Sequence, residues 1–221
     1  PNRAFYCMSY AQGDWQPRWP VVDEEYFEWI AVLEAAAAAA WRAHRHGSAA
    51  ATTGYTEGFA MAEIGAGPFG IWSTRAAVAF ERMAPASTPC DVLALDEDID
   101  MGGVWRRHLG INVHRCRTHN ASTKVEVPGA PRLVDVLDGV GIAASKWDLV
   151  DTDIQSWELK FIRNELPLLG DRVRRLHIST HGRSIHTEIL GRLRSAGWLV
   201  QVEYGPYSVS HVGRFGALTA R

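Results

Sequence analysis

The stretch from Gly58 to Arg75, GFAMAEIGAGPFGIWSTR, constrains the fold of this chain more than any other. Phe59 to Ile64 is apolar except for Glu63, as a parallel strand buried on both faces would be. Gly65, Ala66, Gly67, Pro68, Phe69 and Gly70 form a tight turn, and Ile71 to Glu81 resumes with helical spacing of apolar residues. The unit is strand, glycine turn, helix. Glycine allows backbone to approach a ligand because it has no Cβ and tolerates positive φ. The N–H groups at the helix start favour an electron-rich or anionic group. The unit is therefore a candidate nucleotide site.

The remainder of the chain alternates strands and helices around that unit. Residues 1–22 hold Phe5, Tyr6, Tyr10, Trp15 and Trp19 with Pro17 and Pro20, and read as an aromatic arm or a substrate-side lid. Asp23 to Arg45 is expected to be a helix with Asp23 as its N-cap, its alanine run serving as strong helix former. His46 to Glu57 is expected to be a polar linker. Strands are expected at Asp91–Leu95, around Val113–Arg117 with an end near His119, Asn120 and Ala121, at Trp147–Val150, Val173–Ile178, Trp198–Tyr204 and roughly Val209–Leu218. Helices are expected at Met101–Leu109 (with Gly110 and Asn112 as stop signals), Arg132–Val140, Leu159–Leu169 and Ser184–Ala196. Such alternation predicts an α/β, Rossmann-like, doubly wound and mostly parallel seven-stranded sheet, with helices on both faces and an N-terminal helical extension. Residues 1–57 are expected to be the arm and helix of one domain whose ligand-binding body is residues 58–221. Ligands on such sheets bind at the carboxyl ends of the strands, and Glu63 to Gly67, Asp96, Asn120, Asp153 and His181 all fall there.

The 221 residues suffice for one full core, and 47% apolar with 22% charged residues is ordinary for a globular chain. A formal net charge of −2 gives no general attraction to nucleic acid or an anionic membrane, so neither is expected as a partner. Cys7, Cys90 and Cys116 form no CxxC pair and cannot all be bridged, which favours a reducing, cytoplasmic setting. No apolar run is long enough to span a bilayer, and no signal-peptide pattern is present.

Three readings compete for the glycine turn. A P-loop is excluded because no GK[ST] follows the glycines. Gly65 to Gly70 satisfies G-x-G-x-x-G literally, so an NAD-dependent oxidoreductase is one alternative. Against it, Glu63 would face a pyrophosphate, and no hydride-transfer constellation is visible. An acid at that position suits a ligand with a cationic, amino-acid-like end. The E-x-G-x-G turn, with the strand-end acid Asp96 about thirty residues later, resembles the class I S-adenosylmethionine methyltransferases. More specifically, VDEEYFEWIAVLEA, AEIGAGPFGIW, RRHLGIN, DLVDTDIQSWE and RRLHISTHGRSIHTEI with a following GW resemble the FkbM-type methyltransferases. The resemblance covers roughly Val22 to Trp198. Two departures stand out: Ser156 replaces the glycine that usually follows DIQ, and Pro68 lengthens the glycine turn by one residue.

The resemblance implies a cofactor, S-adenosylmethionine, and roles for named residues. Gly65, Ala66 and Gly67 would pass under its methionine part, with Glu63 organising the turn. Asp96 would accept both ribose hydroxyls, as a carboxylate does well. His119, Asn120 and Ala121 match the family's adenine-side segment, with Asn120 reading the ring edge. Asp153, followed by Ile154 and Gln155, lies at the end of the fourth strand, where it would meet both cofactor and acceptor. It could position the acceptor, take its proton or bind a divalent ion, although no metal is predicted. His181, just past the fifth strand, is the candidate general base. Zinc shared by His177, His181 and His186 is disfavoured because they fall on different elements. Glu158 reads as part of a solvated helix face, and Trp72, Trp147 and Trp157 as core or pocket wall. The expected reaction is methyl transfer to a hydroxyl of a small molecule such as a natural product or sugar. Transfer to a side-chain amide of a natural-product peptide is the alternative within the same chemistry, and a non-catalytic nucleotide-binding module is another. A homodimer is compatible with the sequence.

Overall fold

In a computed structural model the described residues are 24–53, 58–96, 103–122, 129–205 and 216–220. The aromatic arm, the Asp23 cap and the start of the last expected strand lie outside them. The elements in chain order are α1 (Glu24–Thr53), β1 (Phe59–Ile64), α2 (Ile71–Met83), β2 (Cys90–Leu95), α3 (Val104–Asn112), β3 (Arg117–Ala121) and α4 (Leu133–Val140). They continue with β4 (Leu149–Thr152), α5 (Glu158–Leu169), β5 (Leu176–Thr180), α6 (Arg183–Ser195), β6 (Val200–Tyr204) and β7 (Gly216–Ala220). The sheet order is β3-β2-β1-β4-β5-β7-β6. The first five strands pair in parallel, while β7 runs antiparallel to both β5 and β6. The chain winds outward from β1 to β3, then returns to place β4 on the other side of β1. That reversal is the topological switch point, where the carboxyl ends of β1 and β4 meet.

The alternation of apolar strands and amphipathic helices thus builds the expected Rossmann-like layers. Every residue of β1, β2 and β4 is buried, because helices cover both faces. One face packs Leu133, Val134 and Leu137 of α4, Phe161 and Ile162 of α5, and Ile189 and Leu193 of α6 against Ile64, Val150 and Ile178. The other face receives α1 and α2. There Ala31, Val32, Ala35, Ala36, Ala39 and Ala40 form a narrow stripe against Ala76, Ala77, Phe80, Met61 and Leu149. The alanine run does more than favour helix: its small side chains let α1 lie close on the sheet. Arg75 clamps the α1–α2 contact, its guanidinium 4.3 Å from the Trp29 ring and 4.4 Å from the Trp72 ring. Arg42 pairs with the buried Asp148, just before β4, whereas Glu28 accepts from Ser179 in β5 at 3.1 Å. The first turns of α1 therefore lie over the carboxyl ends of the strands. No described helix is long and apolar enough to cross a membrane.

Several expected boundaries shift, each for a physical reason. The helix α1 continues through His46 and Gly47 to Thr53, where a linker was expected. Gly110 and Asn112 lie inside α3, and Val113, expected to open a strand, caps that helix through its N–H on Leu109 O at 2.7 Å. The third strand is the polar RTHNA, an edge strand whose solvated side chains erase the apolar signal. Strands β4 and β5 start and end two to three residues later than their apolar residues suggest, since Asp151, Thr152, His177, Ser179 and Thr180 are strand residues. Cys90 and Cys116 form a disulfide with Cα atoms 4.4 Å apart, which corrects the expectation of reduced thiols. The register pairs Asp91 with Arg117, and so brings their preceding cysteines opposite each other.

Candidate active site at the switch point

The glycine turn is held by three left-handed glycines, Gly65 (φ 82°), Gly67 (φ 56°) and Gly70 (φ 53°). Gly65 is required by contact as well as conformation, because a Cβ there would fall 1.8 Å from the carbonyl oxygen of Asp153. The turn of β1 and the end of β4 therefore touch backbone to backbone. A Cβ at Gly67 would meet no atom within 4 Å, so this part of the turn is an open floor.

Two acids brace the turn. Glu63, buried at the end of β1, accepts the Ser73 N–H of α2 at 2.7 Å and so satisfies one amide of the helix start. Burial pushes its carboxyl up to about 8, and the nearby Asp151 adds to the rise. Asp96, immediately after β2, accepts the Gly67 N–H on Oδ2 at 2.9 Å. Ala121 sits beside it, its carbonyl accepting the Asp96 N–H at 3.3 Å. The other two residues of that expected adenine-side segment point differently. His119 places Nε2 3.0 Å from Asp91, and Asn120 is exposed on the edge strand.

Across the switch point, the end of β4 carries the second half of the site. The Asp153 N–H donates to Ile64 O at 2.9 Å, which fixes this end against β1. Gln155 (φ 52°) and Ser156 (φ 81°) then adopt left-handed conformations. The double turn reverses the chain and aims Gln155 at two partners. Its Nε2 donates to Asp153 Oδ1 at 3.0 Å and lies 3.2 Å from His181 Nε2. His181 Nε2 is also 3.3 Å from Asp153 Oδ1. On its other side, His181 Nδ1 lies 2.8 Å from Glu158 Oε1.

Glu158 corrects the sequence reading. It is fully buried rather than on a solvated face, and its Oε1 also accepts the N–H groups of Ile154 at 3.3 Å and Ser156 at 3.1 Å. The two left-handed residues before α5 turn the first residue of that helix inward, where its Oε1 meets all three groups. A carboxylate facing Nδ1 selects the tautomer with hydrogen there, which leaves the Nε2 lone pair toward Gln155 and Asp153. Burial raises the Asp153 carboxyl; His181 opposes the shift and Glu158 adds to it. Trp157, expected in the core or as pocket wall, is 44% exposed beside this constellation with the Lys160 ammonium 4.8 Å from its ring.

The three histidines do not converge. His177 meets Asp151 at 2.6 Å, and His186 lies 3.0 Å from Thr180 Oγ1 on the opposite face. Asp153, His181 and Glu158 offer ligand atoms within 4.8 Å of one another, yet the imidazole is already hydrogen-bonded on both sides. What the structure brings together is an open glycine floor with Asp96 on one side of the switch point, and Asp153, Gln155, His181 and Glu158 on the other.

No protein-family model and no curated protein sequence matches the chain. Solved structures do. The ribosomal protein L11 methylase of Lactobacillus delbrueckii subsp. bulgaricus aligns with a TM-score of 0.51 at 15% identity, over 95% of this chain and 89% of that one. The METTL16 MTase domain gives 0.54 at 16% identity, over 92% and 69%. An rRNA methylase from Streptococcus thermophilus gives 0.51 at 12% identity, over 91% and 98%. The chain shares its fold with these methylases. At these identities the likeness describes architecture alone.

Proposed function

We propose that this chain is an S-adenosylmethionine-dependent methyltransferase of the FkbM type that methylates a hydroxyl of a small molecule, a natural product or a sugar. One observation carries the reading. The glycine turn and Asp96 meet the Asp153–Gln155–His181–Glu158 constellation across the contact between Gly65 and Asp153. The residues suit the cofactor: the floor above Gly67 is clear, and Asp96 and Asp153 are carboxyl groups that can meet a diol and an ammonium.

When bound, S-adenosylmethionine supplies an electrophilic methyl group on a sulfonium. Gly65, Ala66 and Gly67 would form the surface under its amino-acid end, and Asp96 would hold the ribose at the end of β2. Ala121 closes the adenine side through its backbone next to Asp96, with Asn120 on the exposed edge. Asp153 and Gln155, which are hydrogen-bonded to each other, would hold the acceptor hydroxyl beside His181. His181 Nε2 would take the proton of the acceptor hydroxyl, and Glu158 would stabilise the resulting imidazolium through Nδ1. The net charge of −2 supports a small acceptor over a polyanion, although two of the structural neighbours are an rRNA methylase and a ribosomal-protein methylase.

Calorimetric titration with S-adenosylhomocysteine and, in parallel, NAD tests the cofactor. Micromolar affinity for the former alone is expected, and Asp96→Ala should weaken it by at least about tenfold, the loss of one charge-assisted contact. Affinity for NAD alone would overturn the reading. With the acceptor in hand, Glu158→Gln should lower kcat by roughly 100-fold while leaving cofactor affinity intact.

A further inference from the structure

A second polar cluster lies beside the catalytic residues but on the α1 face of the sheet. Glu28 of α1, Asp151 of β4 and His177 of β5 are 5%, 2% and 0% exposed. Asp151 and His177 are direct neighbours in the parallel register, with His177 Nδ1 2.6 Å from Asp151 Oδ1. Ser179, on the same face of β5, donates to Glu28 Oε1 at 3.1 Å, so the α1 carboxylate stands over the strand beside the imidazole. One ligand atom from each of the three residues lies within 4.8 Å of the others.

Two features of this cluster call for a cation. The first is charge. Glu63, opposite Asp151 in the β1–β4 register, and Asp153, at the end of β4, place further acids beside Glu28 and Asp151 around the one imidazole. Gathering carboxyl groups in the interior around a single imidazole disfavours their ionised forms unless a cation balances them. The second is an orphaned nitrogen. His177 Nε2 is buried and has no hydrogen-bond partner among the described residues, in a layer where the neighbouring Ser179 and Asp151 are satisfied. Two carboxylate oxygens and one imidazole nitrogen, all inside the protein, are the donor set of a divalent first-row metal rather than of calcium or magnesium.

We propose that Glu28, Asp151 and His177 bind a divalent first-row cation, zinc foremost, which staples α1 to β4 and β5. The site is separate from the His181 constellation in its residues and in its role. It neutralises the buried acids and fixes the end of α1 over the carboxyl ends of the strands.

The test uses the full chain, stripped with a chelator and titrated with zinc or manganese chloride, with metal content read by mass spectrometry. One zinc per chain with micromolar or tighter affinity is expected, and loading should raise Tm by several degrees. Glu28→Gln keeps the Ser179 hydrogen bond and the packing, and should weaken zinc roughly 100-fold. His177→Ala should do at least as much. His181→Ala should leave zinc affinity unchanged. Absence of stoichiometric zinc or manganese binding overturns the proposal. So does zinc affinity that survives Glu28→Gln but is lost in His181→Ala, which would move the metal to the Asp153–Glu158–His181 group. If His177→Ala does not fold, the comparison of Glu28→Gln with His181→Ala still decides.

Discussion

Ser156 shows what a single residue does at this site. At φ 81° its Cβ crowds its own backbone, a conformation that glycine adopts freely. The strain persists because the Ser156 N–H and the Ile154 N–H are both fastened to Glu158. Ser156→Gly should therefore raise stability by about 1 kcal/mol in urea denaturation, the αL penalty less the added freedom of the unfolded chain. A loss of stability would mean that the serine side chain contributes a contact worth more than the strain. Glu63 sets a pH dependence. Its folded carboxyl is raised to about 8 from an ordinary 4.5, so its stabilising contribution is complete below about 4.5 and is lost as pH rises through 8. Relative to Glu63→Gln, the wild type should lose up to about 1.4 kcal/mol per pH unit in that window. Parallel stability curves for the two proteins between pH 5 and pH 8 would show that Glu63 does not hold a raised pKa.

At the scale of elements, the helices and the central strands follow from pattern. Phe59–Ile64 is apolar and buried on both sides, and α2 follows the glycine turn as its spacing predicts. Only the end of β3, near Ala121, followed; its start did not, because RTHNA pairs at an edge where no apolar residue is needed. The disulfide is likewise a property of element pairing, since only the parallel register of β2 and β3 sets Cys90 against Cys116. It closes a loop with a sequence separation of 26 residues, so Cys116→Ser should cost about 3 kcal/mol in the absence of reductant. Reductant should lower the wild type toward the variant and leave the variant unchanged. Wild-type stability indifferent to reductant would show that the bridge does not form in solution.

At the scale of the whole molecule, the site exists because β1 and β4, far apart in sequence, become neighbours at the switch point. Gly65→Ala probes that contact. Its Cβ would be driven into Asp153 O while its backbone stays left-handed, so a loss of roughly 3 kcal/mol or more is expected in chemical denaturation, with weakened cofactor binding. An unaffected variant would show that turn and strand do not meet. The sequence by itself determined the strand–turn–helix unit, the alternating layers, and Asp96, Asp153 and His181 as strand-end residues, because periodicity and glycine chemistry are local. Tertiary structure alone decided that Glu158 turns inward to His181, that His119 turns away to Asp91, and that Glu28 meets Asp151 and His177 beneath α1. Those outcomes depend on which strands become neighbours and which side chains share a face, and neither is written in the spacing of any one segment.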